Sequence, residues 1–126
     1  MSLNVLRFSA AAFLLAVLPV AGADMAGASN HYMPSSQLYN LCTSNMAGKG
    51  HPLEAGECLG YIVGVADTYD CSEANHGFHW DPHKAEGSQI KLVAAVLQWL
   101  DANPAAMKDA AHNAIGKALQ QTFPCK

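Results

Sequence analysis

After residue 34 the apolar positions recur at helical spacing in successive stretches, and no stretch shows the strict alternation of a half-buried strand. The run SSQLYNLCTSNM from Ser35 offers a serine cap and apolar positions at Leu38, Leu41 and Cys42, which predicts a short first helix. Gly48-Lys49-Gly50-His51-Pro52 interrupts the chain. A second helix is expected from near Leu53, with Glu54 and Glu57 in its first turn, where negative charge suits the helix dipole. Leu59, Ile62, Val63, Ala66 and Tyr69 continue its period, which carries the helix to an expected end near Cys71 to Ala74. Residues 74–87 hold Gly77, Pro82 and Gly87, show no period, and read as a loop. Ser88 caps a third helix whose apolar face is expected at Ile90, Val93, Ala94, Leu97 and Leu100. Asn103-Pro104 ends it and is expected to start a fourth, with Met107, Ala111, Ala114, Ile115, Ala118 and Leu119 as its stripe. The expected fold is all-α, a small disulfide-stapled antiparallel bundle of about four helices.

Gly56, Gly60 and Gly64 recur every four residues on the second helix. An interior helical glycine costs about 1 kcal/mol relative to alanine. Three on one face are therefore expected to mark close packing against another backbone, within the chain or in a second copy.

The N-terminus reads as an address. One positive charge in residues 1–7 precedes the uncharged run Phe8–Val20, then the small-residue triplet Ala21-Gly22-Ala23. That is the order of a secretory signal peptide, and the apolar run is shorter than the ~20 residues of a membrane span. The expected organisation is a signal peptide at 1–23, a flexible tail at 24–34 and a helical domain at 35–126, with no membrane attachment after cleavage. Cleavage removes Arg7, the sole arginine, and leaves six lysines against ten acids, a net charge of −4. An acidic chain without a basic patch is not a nucleic-acid binder.

A mature chain of about 100 residues builds only a marginal core, so export and four cysteines together point to disulfides. Cys58 and Cys71 would lie about 20 Å apart on one continuous helix, too far for a bond. A hairpin of the first two helices favours Cys42–Cys58 with Cys71–Cys125; the remaining option is Cys42–Cys71 with Cys58–Cys125.

Candidate chemistry concentrates in the loop. His76, His79 and His83, with Asp81 between them, are residue types that bind zinc or copper. Gly77 and Pro82 argue against the helix that would bring them together, so no metal and no cofactor is expected. Phe78 and Trp80 give the loop the aromatic content of protein-binding surfaces. No nucleophile elbow, His-Glu-x-x-His or phosphate loop occurs, and bridged cysteines leave no thiol nucleophile, so no enzyme is expected.

Longer motifs add to this reading. Leu41-Cys42, the stretch Cys58-Leu59-Gly60-Tyr61-Ile62-Val63-Gly64-Val65, the segment from Gly87 to Leu100 and Pro104, and the ending Ala118-Leu119-Gln120-Gln121-Thr122-Phe123-Pro124-Cys125 resemble the Rap/Tai family of type VI secretion immunity proteins. The resemblance implies a periplasmic all-α protein whose partner is a peptidoglycan-cleaving amidase toxin, blocked by occlusion of its cleft, and it hints at a homodimer. It points to Phe78, His79, Trp80 and His83 as the contact residues, with Trp80 expected to matter for inhibition more than for stability. One departure stands out. The family usually has its third cysteine just before a proline in the loop ahead of the third helix; here Trp80-Asp81-Pro82 occupies that place and the cysteine is Cys71. The small helical fold also resembles that of HdeA-type periplasmic acid-stress chaperones, with six histidines available to titrate. A metal-binding protein using the histidine loop is the further alternative.

Overall fold

The computed structural model describes residues 32–46 and 52–126. The expected signal peptide and most of the expected tail lie outside them. Four α-helices form: α1 (Ser35–Met46), α2 (Pro52–Ala66), α3 (Gln89–Ala102) and α4 (Ala111–Thr122), with 3-10 turns at Pro82–Ala85 and Pro104–Lys108. Among the described residues the only extended pairing is an isolated antiparallel bridge between Pro34 and Ala110. No described helix is long and apolar enough to cross a membrane. The protein is an all-α bundle in which α1 packs on α2, α3 on α4, and α2 also on α4.

The core follows from the helical period. Cys58, Ile62 and Ala66 form the buried stripe of α2, and Ala111, Ala114, Ile115, Ala118 and Leu119 that of α4. Small alanines on α4 let its backbone lie close to its neighbours, while Leu38, Ile62, Leu100, Ile115 and Leu119 fill the centre. The end of the expected tail is not loose. Met33 is buried, its carbonyl accepts from the Ala111 amide at 2.9 Å, and the Ser35 amide donates to the Asp109 carbonyl at 2.8 Å.

Two disulfides staple the bundle. Cys42–Cys58 joins α1 to α2 with Cα atoms 5.2 Å apart, and Cys71–Cys125 joins the loop to the C-terminus with Cα atoms 5.7 Å apart. The favoured pairing is the observed one, but the premise about a continuous helix is not. α2 stops at Ala66, short of the expected Cys71 to Ala74. Its final carbonyls find other partners: the Thr68 hydroxyl donates to Val65 O at 2.7 Å, and the Trp80 indole N–H donates to Ala66 O at 3.1 Å. With those acceptors taken, the chain is released into the loop and carries Cys71 to Cys125.

Two further expectations are corrected. α3 is apolar around much of its circumference, and its buried residues are Leu92, Ala95, Val96, Leu97 and Leu100. Ile90, expected on the core face, is 81% exposed, and Ala94 is exposed as well. Spacing defined a helix but could not choose among its apolar faces. The fourth helix starts at Ala111, not at Asn103-Pro104. Pro104–Lys108 makes a 3-10 turn instead, and the Asn103 side chain donates backward to Trp99 O at 2.8 Å, closing α3.

Candidate functional site

Between α2 and α3 runs the longest described segment without an α-helix, residues 67–88. It is built by local side-chain-to-backbone bonds. Asp70 Oδ1 accepts from the Ser72 amide at 2.8 Å, Asn75 Oδ1 from the Gly77 amide at 2.9 Å, and Asp81 Oδ1 from the His83 amide at 3.0 Å. Such Asx turns give the backbone a defined path without a helix or ladder. Asn75 does most here, since its Nδ2 also donates to Phe78 O at 2.7 Å and to Asp70 O at 3.2 Å. Glu86 and Gly87 follow with φ of 54° and 68°, a left-handed pair that turns the chain into Ser88. The Ser88 side chain then caps α3 as expected, accepting from the Lys91 amide.

Longer-range anchors fix the segment to the bundle. The Cys71–Cys125 bond holds its start. The Asp81 amide donates to Phe123 O at 2.8 Å, and Lys84 Nζ donates to Pro124 O. Tyr69 and Phe78 meet edge to face at 5.4 Å, an arrangement favoured by ring quadrupoles.

The expected contact residues separate into two kinds. His76 and His83 are exposed, and Phe78 and His79 are half-buried. Trp80 is only 4% exposed. Its ring lies 6.1 Å from that of Phe123. Trp80 is thus a core residue that anchors the segment from beneath, not an exposed contact aromatic. A ring of that size with one N–H is well placed when the carbonyl it needs, Ala66 O, lies at the end of a neighbouring helix.

Within the chain, the glycines that permit close approach are not Gly56, Gly60 and Gly64. A Cβ at Gly56, Gly60 or Gly64 would meet nothing within 4 Å; all three face solvent. A Cβ at Gly116 would instead collide with the Phe78 ring, and one at Gly77 with the Tyr69 ring. Gly116 lets the Phe78 ring approach α4, and Gly77 lets the Tyr69 ring approach the loop backbone. The sequence carried a signal for Gly116, a lone glycine inside an otherwise regular apolar stripe, and a weaker one for Gly77 in Asn75-x-Gly77.

The histidine loop does not gather a metal site. Among the described residues no group of three His, Cys, Asp or Glu side chains is placed to hold an ion. Burial raises the Tyr61 phenol, and two further shifts arise from side-chain pairs at the surface. Lys91 Nζ lies 2.6 Å from Glu86 Oε2, and that bond holds the Glu86 carboxyl below its ordinary range. The Asp101 carboxylate accepts from the Tyr39 hydroxyl at 2.7 Å and raises that phenol.

The architecture defines a class, that of small disulfide-bonded helical domains holding one irregular segment in a fixed shape. Over residues 35–125 the sequence matches the family described as Rap1a immunity proteins, and the chain belongs to that family. No curated protein matches the chain. Membership implies immunity against a type VI effector, with the effector protein as partner.

Proposed function

We propose that the protein is a periplasmic immunity protein, exported by residues 1–23, that binds a peptidoglycan-cleaving amidase toxin and occludes its active-site cleft. The observation that carries this reading is the fixed loop. Residues 67–88 hold no α-helix, yet a disulfide, a buried tryptophan and a pair of glycine-seated aromatics hold them. A segment ordered before binding loses less entropy on entering a partner's cleft. Phe78, His79 and His83 are the contact residues in this reading, and Trp80 keeps them in place. The acidic mature chain assists encounter with a basic toxin surface.

The Gly56, Gly60 and Gly64 face, unused within the chain, and the nearly bare Ile90 leave a surface for a second copy, in keeping with a homodimer. Sedimentation across a concentration series decides this: a monomer at all concentrations removes the dimer.

The test of the main reading is a pull-down with the oxidised mature protein against candidate periplasmic amidases. Capture of one amidase at about 1:1 with loss of its activity is the expected result. Capture of nothing at neutral pH and of many proteins in acid would support a chaperone instead.

A further inference from the structure

Beside the loop, the C-terminal end of α2 opens into a cleft of about 440 Å³ whose lining includes Val63, Ala66, Trp80 and Leu92 as apolar wall and Asp67 and Asp70 as acidic rim. Three features make this end of the molecule electronegative. Asp67 and Asp70 lie within four residues of the end of α2. The last turn of α2 carries no basic residue, so nothing on the helix compensates its negative end. The nearby lysines are committed elsewhere: Lys84 donates to Pro124 O, and Lys91 pairs with Glu86 in the sole salt bridge among the described residues.

We propose that this cleft seats a lysine or arginine side chain of the partner protein. The identity of that partner rests on the immunity reading above. Long cationic side chains place their methylene stems on apolar surface while the charged head reaches a polar rim, which is the division this cleft offers. Charge complementarity selects a basic group over a neutral or acidic one. The fixed loop and the acidic cleft then act together: one enters the partner, the other receives from it.

The test has two arms. In the first, the oxidised protein is titrated with N-acetyl-arginine amide and, separately, with its uncharged analogue N-acetyl-citrulline amide, while amide and indole resonances are followed by NMR. Saturable shifts at Asp67, Asp70 and the Trp80 indole are expected with the arginine compound alone, absent in the Asp67→Asn/Asp70→Asn variant and suppressed in the unaltered protein by high salt. No localised shifts, or equal shifts with citrulline, would overturn the proposal. In the second arm, an amidase captured by the unaltered protein is expected to bind the double variant about tenfold more weakly at unchanged melting temperature. Unchanged affinity there would show that the partner leaves the cleft empty, overturning the proposal while immunity stands. Failure of the unaltered protein to capture any amidase would count against the immunity reading, and the arginine titration would still decide the cleft.

Discussion

The two disulfides hold two unlike regions. Cys42–Cys58 lies inside the α1–α2 hairpin, both sulfurs buried among Leu38, Ile62 and their neighbours. Cys71–Cys125 ties an exposed, irregular segment to the end of the chain. In the first region the helical period already buries an apolar stripe, and the covalent bond adds to an interface that packing specifies. In the second, little is regular, and order comes from separate anchors: one disulfide, one tryptophan, one aromatic pair and a handful of Asx turns. The difference teaches that rigidity for binding need not come from secondary structure. A loop becomes a fixed feature when each of its turns is tied to a different part of the core.

The largest break in this comparison should come from Trp80→Ala. Loss of a buried tryptophan costs roughly 3–5 kcal/mol, and the value should fall near the top because Ala66 O also loses its donor. Urea unfolding of the oxidised variant measures it; a loss under about 1 kcal/mol would return Trp80 to the surface. Next come the disulfides. The chain-entropy relation gives about 4 kcal/mol for a separation of 54 residues and about 3 kcal/mol for one of 16. Cys71→Ala/Cys125→Ala should therefore destabilise more than Cys42→Ala/Cys58→Ala. It should also raise hydrogen exchange across residues 67–88, while the hairpin variant leaves those amides protected. The reverse pattern of exchange would dissolve the distinction between the two regions.

Gly116→Ala should have a smaller effect. Overpacking costs about 1–3 kcal/mol, and the better helix propensity of alanine returns about 1 kcal/mol of it. The Phe78 ring is displaced from α4, so its ring resonances should shift and toxin binding should weaken more than stability does. The smallest effect is one of opposite sign. Gly60→Ala, on an exposed face with nothing within 4 Å, should stabilise the monomer by about 0.5–1 kcal/mol. A loss of thermal stability that grows with protein concentration would instead reveal a partner backbone at that face.

The comparison with sequence reading divides along the same line. The existence of the four helices was legible because apolar spacing and caps agree locally, as Ser88 shows at the start of α3. The pairing of the cysteines was legible only as a preference between two options, and the helix invoked to exclude Cys58–Cys71 ends before Cys71. The role of Trp80 was not legible. The composition of a loop does not reveal whether an aromatic faces out or in, and Trp80 is buried beside Phe123 with its N–H on Ala66 O, both remote in sequence. The displaced cysteine follows the same rule. Cys71 stands nine positions before Trp80, yet its Sγ lies 3.3 Å from the Trp80 carbonyl oxygen.

The helical class, the break between α2 and α3 and the family were written in the chain, because period, caps and motif spacing are local properties. Which apolar face of α3 is buried, where α2 stops and which glycines are filled by a neighbour were settled by packing. Each of those depends on a partner remote in sequence: a face is buried by the helix that meets it, a helix ends where other groups take its last carbonyls, and a glycine is needed only where a ring arrives.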